Sequence, residues 1–164
     1  MSAALVQPDL VQPELTEPKP LEREWLGLEE IPPGADVLAM VERRFEPAII
    51  DRLLGLGFER AEVHSVVLPA RTLQHRRSRK ELLTLEESDR VIRLLRVLRA
   101  TEVVYGSRER ALAWLRRPNP RLDPALRNVL FAQGGRTPIS LLTTEVGARK
   151  VEELLGQIAH GMFI

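Results

Sequence analysis

Two sets of side chains in this sequence combine types and spacings that can do chemistry. The first is a cationic run, Arg71, Arg76, Arg77, Arg79 and Lys80, with Thr72, Gln74 and His75 interleaved and no acid between positions 71 and 80. Cations at that density neutralise phosphates, and in a major groove Arg pairs with guanine edges and Gln with adenine. A solvated helix face has the same composition, so charge alone leaves both readings open. The second set closes the sequence: Arg149, Glu152 and Glu153, then Gly161, Met162, Phe163 and Ile164. Three consecutive apolar residues in such a position need cover. They can fold back on their own domain, meet a second subunit, or fill a partner protein's cavity with the nearby charges fixing the orientation.

Enzyme chemistry finds no comparable set. His64, His75 and His160 are scattered without metal-ligand spacing, and the absence of cysteine removes disulfides, thiolate ligands and thiol nucleophiles. No Gly-x-Ser-x-Gly elbow is present. Gly134-Gly135-Arg136-Thr137 can meet an anion at a helix start, but a plain turn explains it as well. The expectation is a protein without catalytic, metal or cofactor residues.

At 164 residues and 44% hydrophobic content, the chain can bury a core as one domain or two small ones. An aromatic share of 4% beside abundant Leu, Arg and Glu favours helices over sheet. No run reaches the roughly 18 apolar residues of a membrane span. The N-terminus lacks the basic start and apolar core of a signal peptide, and with cysteine absent a cytoplasmic protein is expected. The net charge of +1 hides an asymmetry: before Val37 eight acids face only Lys19 and Arg23, whereas positions 71–80 are purely basic. Segregation of this kind points to a local anionic partner for the middle of the chain.

The elements that must position these residues follow from local signals. Residues 1–36 hold half of the twelve prolines and a near-repeat, Val6-Gln7-Pro8-Asp9-Leu10 and Val11-Gln12-Pro13-Glu14-Leu15, which reads as an extended, disordered arm. Helical patterning begins near Val37, breaks at Glu46-Pro47, and resumes over 48–56 with Ile49, Ile50, Leu53 and Leu54 inward, stopped by Gly55 and Gly57. A short helix over 59–67, a turn at Leu68-Pro69 and a basic helix over 70–80 give the outline of a helix-turn-helix. Leu73 is its expected anchor, with Arg71, Thr72, Gln74, His75, Arg76 and Arg77 facing outward. Thr84 and Glu87 fit a capping box opening a long helix to Tyr105, closed by Gly106. Its apolar side, Val91, Leu94, Leu95, Leu98 and Tyr105, is widened by Ile92, Val97, Val103 and Val104, with Arg90, Arg93, Arg96 and Arg99 in a spiralling stripe. So broad a surface suits either a bridge between domains that contributes to a homodimer interface or an ordinary core helix.

Residues 107–117 form the next helix, with Leu112 and Leu115 inward and Trp114 as the largest packing group, stopped by Pro118-Asn119-Pro120. Asp123 and Pro124 open another, with Leu126, Val129 and Leu130 in a stripe and Gly134 at its end. Thr137-Pro138 places a capping hydroxyl before a proline at the first helical position. Thr143-Thr144-Glu145 starts the last helix, whose stripe is Val151, Leu154, Leu155 and Ile158 and whose left-handed end is Gly161.

Across this framework run dispersed residues that resemble one family. Arg136-Thr137-Pro138, Leu141-Leu142, Thr144-Glu145, Gly147-Ala148-Arg149, Val151-Glu152, Leu154-Leu155 and Gly161, with Trp114-Leu115-Arg116-Arg117-Pro118-Asn119 upstream, resemble the C-terminal domain of the Xre/MbcA/ParS antitoxins. Leu68-Pro69-Ala70-Arg71-Thr72-Leu73 and Glu86-Glu87-Ser88-Asp89-Arg90 resemble the same family's N-terminal half, and together the two cover about 37–164. The resemblance implies an all-α fold: an Xre-like helix-turn-helix domain at 37–88, joined by the long helix to a toxin-binding and dimerisation domain at 89–164. It implies an antitoxin that neutralises a RES-domain, NAD-degrading toxin and represses its own operon. Arg71, Thr72, Gln74, His75, Arg76, Arg77, Arg79 and Lys80 would meet operator DNA. Arg149, Glu152, Glu153, Gly161, Met162, Phe163 and Ile164 would sit over the toxin's active-site entrance. The helix near 123–134 departs from the family pattern as an insertion. A plain transcriptional regulator or DNA-partitioning accessory, whose C-terminal domain only dimerises, is the alternative.

Overall fold

The computed structural model describes residues 41, 42, 44–123 and 136–161. These form seven α-helices and one 3-10 turn: α1 Ile49–Gly55, α2 Arg60–Val66, α3 Ala70–Arg79, α4 Leu85–Tyr105, α5 Arg108–Arg116, the turn Pro120–Leu122, α6 Pro138–Leu141 and α7 Glu145–Ala159. The expected arm at 1–36, the inserted helix near 123–134 and the tip Met162, Phe163 and Ile164 lie outside the described residues, Asp123 excepted. No described helix is long and apolar enough to cross a membrane.

The local stop and start signals act as their chemistry dictates. Thr84 Oγ1 accepts from the Glu87 N–H at 3.1 Å while the Glu87 carboxylate accepts from the Thr84 N–H at 2.7 Å, so α4 opens with both donors satisfied. Gly106, at φ 77°, closes it. Thr144 Oγ1 caps α7 through the Gly147 N–H at 3.1 Å, and Gly161 follows that helix in the left-handed region at φ 65°. Thr137 departs from expectation. Its hydroxyl makes no cap, and its carbonyl accepts from both the N–H and the hydroxyl of Ser140, at 3.1 and 2.7 Å.

Helix α4 is the centre of the packing. Val91, Leu94, Leu95, Val97 and Leu98 are all at most 2% exposed, and α5 and α7 pack on them. Ile50, Leu53, Val63, Val67 and Leu68 from the first helices join the same cluster as Leu115, Leu142, Val151 and Leu155 from the last, so one core spans the chain. The expected apolar band is too wide at one point: Val103 is 67% exposed, whereas Val104 and Tyr105 beside it pack against the core. Trp114 and Tyr105 are half-buried and tilt together with ring centres 5.6 Å apart.

Two of the four arginines in the α4 stripe tie it to α7 and the turn before it. Arg93 is buried, donating to the Glu145 carboxylate at 3.1 Å, to the carbonyls of Leu142 and Thr143 at 3.3 Å each, and to Asp89. Arg96 donates to Glu145 at 2.8 Å and to Glu152 at 2.7 Å. A third tie joins α5 to α2: Arg116 reaches both Glu62 oxygens at 2.7 and 2.9 Å and the Gly57 carbonyl at 2.9 Å. Gly57 sits at φ 101°, and a Cβ there would meet Leu112 Cδ1 at 2.7 Å, so the α1–α2 turn lies directly against α5. The flanks of 124–135 are also joined, by the Asn119 N–H donating to the Arg136 carbonyl at 3.0 Å.

Gly147 is required for close approach rather than for its φ, since a Cβ there would overlap the Leu141 carbonyl. Gly147→Ala is expected to cost roughly 1–3 kcal/mol by overpacking against backbone. Gly156→Ala on the same helix, with nothing within 4 Å of its Cβ position, is expected to be neutral or stabilising by about 0.5–1 kcal/mol. Urea unfolding of the pair measures the contrast, and equal effects would refute it.

Burial pushes the Glu145 carboxyl up, but hydrogen bonds from Arg96, Arg93 and Arg149 outweigh it and hold the group below its ordinary 4.5. A carboxylate depressed on folding stabilises above its unfolded pKa, and that contribution disappears as pH falls through the folded value. Stability against thermal unfolding should therefore fall below about pH 4.5. Glu145→Gln should be less stable at pH 7 and show a shallower acid limb, and an unchanged acid limb would contradict the assignment.

Candidate nucleic-acid and partner interfaces

The α2–turn–α3 unit is built on Val63, Val66, Val67, Leu68 and Leu73, all buried. Its turn is held by polar contacts to backbone: Arg90 donates to the Val67 carbonyl at 3.1 Å, and His64 Nδ1 lies 3.1 Å from the Leu68 carbonyl. Pro69, extended at φ −59° and ψ 148°, precedes α3 and supplies a carbonyl to the Leu73 N–H at 3.0 Å. Proline there loses no helical hydrogen bond.

From that frame α3 projects its basic side chains unequally. Arg71, Gln74, His75, Arg79 and Lys80 are exposed, and Thr72 is half-buried. Arg71 and Lys80 have no ion-pair partner among the described residues, and Arg79 has only a 3.9 Å approach to Glu81. Arg77 is exposed, with Nη2 2.8 Å from both Asp51 oxygens. Arg76 corrects the expected outward set. It turns back onto the start of α4, donating from Nη2 to Glu87 at 3.2 Å and from Nη1 to the Leu82 carbonyl at 3.3 Å. Its Nε lies 2.9 Å from Glu87 Oε2 without the alignment of a hydrogen bond. Lys80 ends the helix in the left-handed region at φ 54°, which bends the chain toward Leu83 and α4. Ser78, also exposed, is a residue the sequence did not flag, and its hydroxyl is used on the His75 carbonyl at 2.8 Å.

The last helix separates cleanly into two sides. Gly147, Ala148, Val151, Leu154 and Leu155 face the core. Val146, Arg149, Lys150, Glu153, Gln157 and His160 are exposed, and the stripe runs out to Gly161. Arg149 is free apart from a 3.4 Å contact to Glu145. Glu152 does not belong to the outer side, because Arg96 holds it at 2.7 Å. Burial pushes the Arg96 pKa down, but the hydrogen bonds it donates to Glu145 and Glu152 more than reverse this and leave it raised. Val146, 67% exposed beside Arg149, was missed in the sequence, where an apolar residue in a first helical turn reads as core.

Among the described residues no group of three or more His, Asp or Glu side chains is placed to hold a metal. An open cleft lined by Val41, Leu85, Glu86, Asp89, Arg90, Arg93 and Thr143 has walls whose charges are already paired, Arg90 with Glu86 and Arg93 with Asp89.

Comparison with known proteins matches both halves of the chain. Residues 36–96 match the family profile described as the antitoxin Xre-like helix-turn-helix domain, and residues 99–161 match the antitoxin Xre/MbcA/ParS C-terminal toxin-binding domain. An antitoxin Xre from Pseudomonas putida is 38% identical over 136 residues, covering 83% of this chain and 79% of that protein. Antitoxin Xre proteins from Yersinia enterocolitica and Photorhabdus laumondii are 32% and 29% identical, each alignment covering 79% of this chain and 82% of the relative. With an all-helical fold among the described residues, a helix-turn-helix and a toxin-binding domain in that order, this chain belongs to the Xre/MbcA/ParS antitoxin family.

Proposed function

We propose that this chain is the antitoxin of a type II toxin–antitoxin pair, acting as a cytoplasmic homodimer. It occludes the active-site entrance of a RES-domain toxin that degrades NAD, and it represses its own operon by binding DNA. Residues 37–88 serve the DNA and residues 89–164 serve the toxin and the dimer, preceded by the proline-rich arm at 1–36. The observation that carries the reading is that one continuous core supports two unlike exposed faces, the cationic side of α3 and the outer stripe of α7. The first suits a polyanion and the second suits a protein surface.

On the toxin side, Arg149 and Glu153 stand on the exposed stripe of α7 that leads to Gly161, after which Met162, Phe163 and Ile164 follow in sequence. Charges beside an apolar tip orient it while the tip fills a cavity, so inhibition is by occlusion and needs no chemistry. Glu152 contributes indirectly, by holding α7 against Arg96. On the DNA side, Arg71, Thr72, Gln74, His75, Arg77, Arg79 and Lys80 supply the contacts. A two-fold dimer then reads half-sites about one helical turn, roughly 34–36 Å, or a multiple of that apart.

Removing residues 161–164 should leave the chain folded, with a melting temperature within about 3 °C of the full-length value. The truncated chain should nonetheless fail to rescue growth when the cognate toxin is co-expressed. Full protection by it would overturn the plug.

Binding of the chain to its own promoter should weaken steeply with salt. Arg71→Ala should lower the slope of log K against log salt by about 0.9 if it neutralises one phosphate. Gln74→Ala should instead reduce discrimination between promoter and scrambled duplex by about 1–3 kcal/mol at one base position. Salt-insensitive binding to the promoter, or none, would remove the DNA half of the proposal.

A further inference from the structure

Helix α3 has a thin apolar footing, since Leu73 is the one buried residue among its ten. A helix anchored at a single point is free to roll and tilt about it unless other contacts intervene. Two arginines supply such contacts, on opposite flanks of Leu73. Arg77 pairs with Asp51 of α1, with side chains 44% and 63% exposed, and a pair so solvated constrains little. Arg76 pairs with Glu87 of α4, with side chains only 17% and 10% exposed, and adds the Leu82 carbonyl and a 3.6 Å contact to Glu81. Glu87 is itself immobilised, because its carboxylate caps the Thr84 N–H at 2.7 Å. Arg76 therefore clamps the basic helix to the rigid first turn of the core helix.

Helical geometry separates this clamp from the exposed face. At about 100° per residue, Arg76 lies roughly 60° from Leu73, whereas Arg71 and His75 lie roughly 160° from it on either side. We propose that Arg76 and Glu87 are positioning residues for DNA recognition: the pair fixes the aim of α3, and Arg76 does not itself contact nucleic acid. This assignment rests on the DNA-binding reading above.

The test uses the full chain with a duplex carrying the promoter upstream of its own reading frame and a scrambled duplex of equal length. Affinities are measured across a salt series, well below each variant's melting temperature. Glu87→Gln retains an acceptor for the α4 cap while removing the charge that holds Arg76. Arg76→Gln, Arg76→Lys and the double Arg76→Gln/Glu87→Gln complete the set. Each single variant should lose about tenfold or more in promoter affinity, an effect of about 1.4 kcal/mol. Binding to the scrambled duplex and the salt slope should stay at wild-type values, and the double variant should be no worse than the poorer single. Arg76→Lys should fail like Arg76→Gln, because an ammonium cannot span Glu87 and the Leu82 carbonyl.

A drop of about 0.9 in the salt slope for Arg76→Gln, with Arg76→Lys and Glu87→Gln binding as tightly as wild type, makes Arg76 a phosphate contact and overturns the proposal. Should Glu87→Gln not fold, Arg76→Lys still decides between the two roles. Absence of any DNA binding by the wild-type chain overturns the DNA reading and this assignment together, an outcome distinct from wild-type binding with unaffected variants.

Discussion

A guanidinium taken out of water must find acceptors for its donors, and Arg93 meets that requirement in a way that organises the molecule. It rises from the middle of α4 into the turn between α6 and α7, where the Leu142 and Thr143 carbonyls would otherwise lack partners, and it closes on Glu145 in the first turn of α7. Asp89 completes its shell from one turn earlier on α4. Losing these acceptors would strand a guanidinium whose side chain is only 9% exposed, although Glu145 and Asp89, at 38% and 51%, keep access to water. The start of α7 is thus pinned at the point where Gly147 allows it to touch α6. The helix axis, and the direction in which the chain leaves at Gly161, follow from those two contacts.

The same economy joins the two family domains. Arg116 donates to Glu62 and to the Gly57 carbonyl, and the Glu62 hydrogen bond, working against burial, raises the Arg116 pKa. Beneath that polar tie Leu112 rests directly on Gly57. The helix-turn-helix and the C-terminal helices therefore share buried surface and charge contacts, and neither has an independent core among the described residues. A ligand on either face stabilises the whole folded unit by mass action, so occupancy at one end is felt at the other at least as stability.

Much of this was legible in the sequence where the signal is local. The capping box at Thr84 and Glu87, the Gly106 and Gly161 stops and the Thr144 cap depend on residues within one turn of each other, and all are present. What was not legible depends on how one helix is rotated against another. Arg76 and Arg77 are neighbours in a uniform basic run, yet one is folded onto Glu87 and the other lies open beside Asp51. Glu152 and Glu153 differ in the same way, the first tied to Arg96 and the second exposed. Val103 was counted in the apolar band of α4 by type yet is 67% exposed, and so is Val146, which lay in no expected stripe. Thr137 has the right residue for a cap, and its carbonyl took the role instead.

The two exposed helices are held by different physics, with different consequences for what can bind them. α7 buries Val151, Leu154 and Leu155, each worth about 1.5–3 kcal/mol when fully buried, so its outer stripe is a platform that a partner cannot easily reorient. α3 buries Leu73 alone among its ten residues, and the rest of its hold is ionic. Ionic holds respond to the charges a ligand brings. On the DNA-binding reading, a phosphate competing for Arg77 displaces only the solvated Asp51 pair, worth about 0–1 kcal/mol, whereas one competing for Arg76 must leave Glu87 shielded and unpaired. On that reading, adjacent arginines of one type divide the work: one is free to be surrendered to the nucleic acid, and the other would keep the helix aimed while that happens.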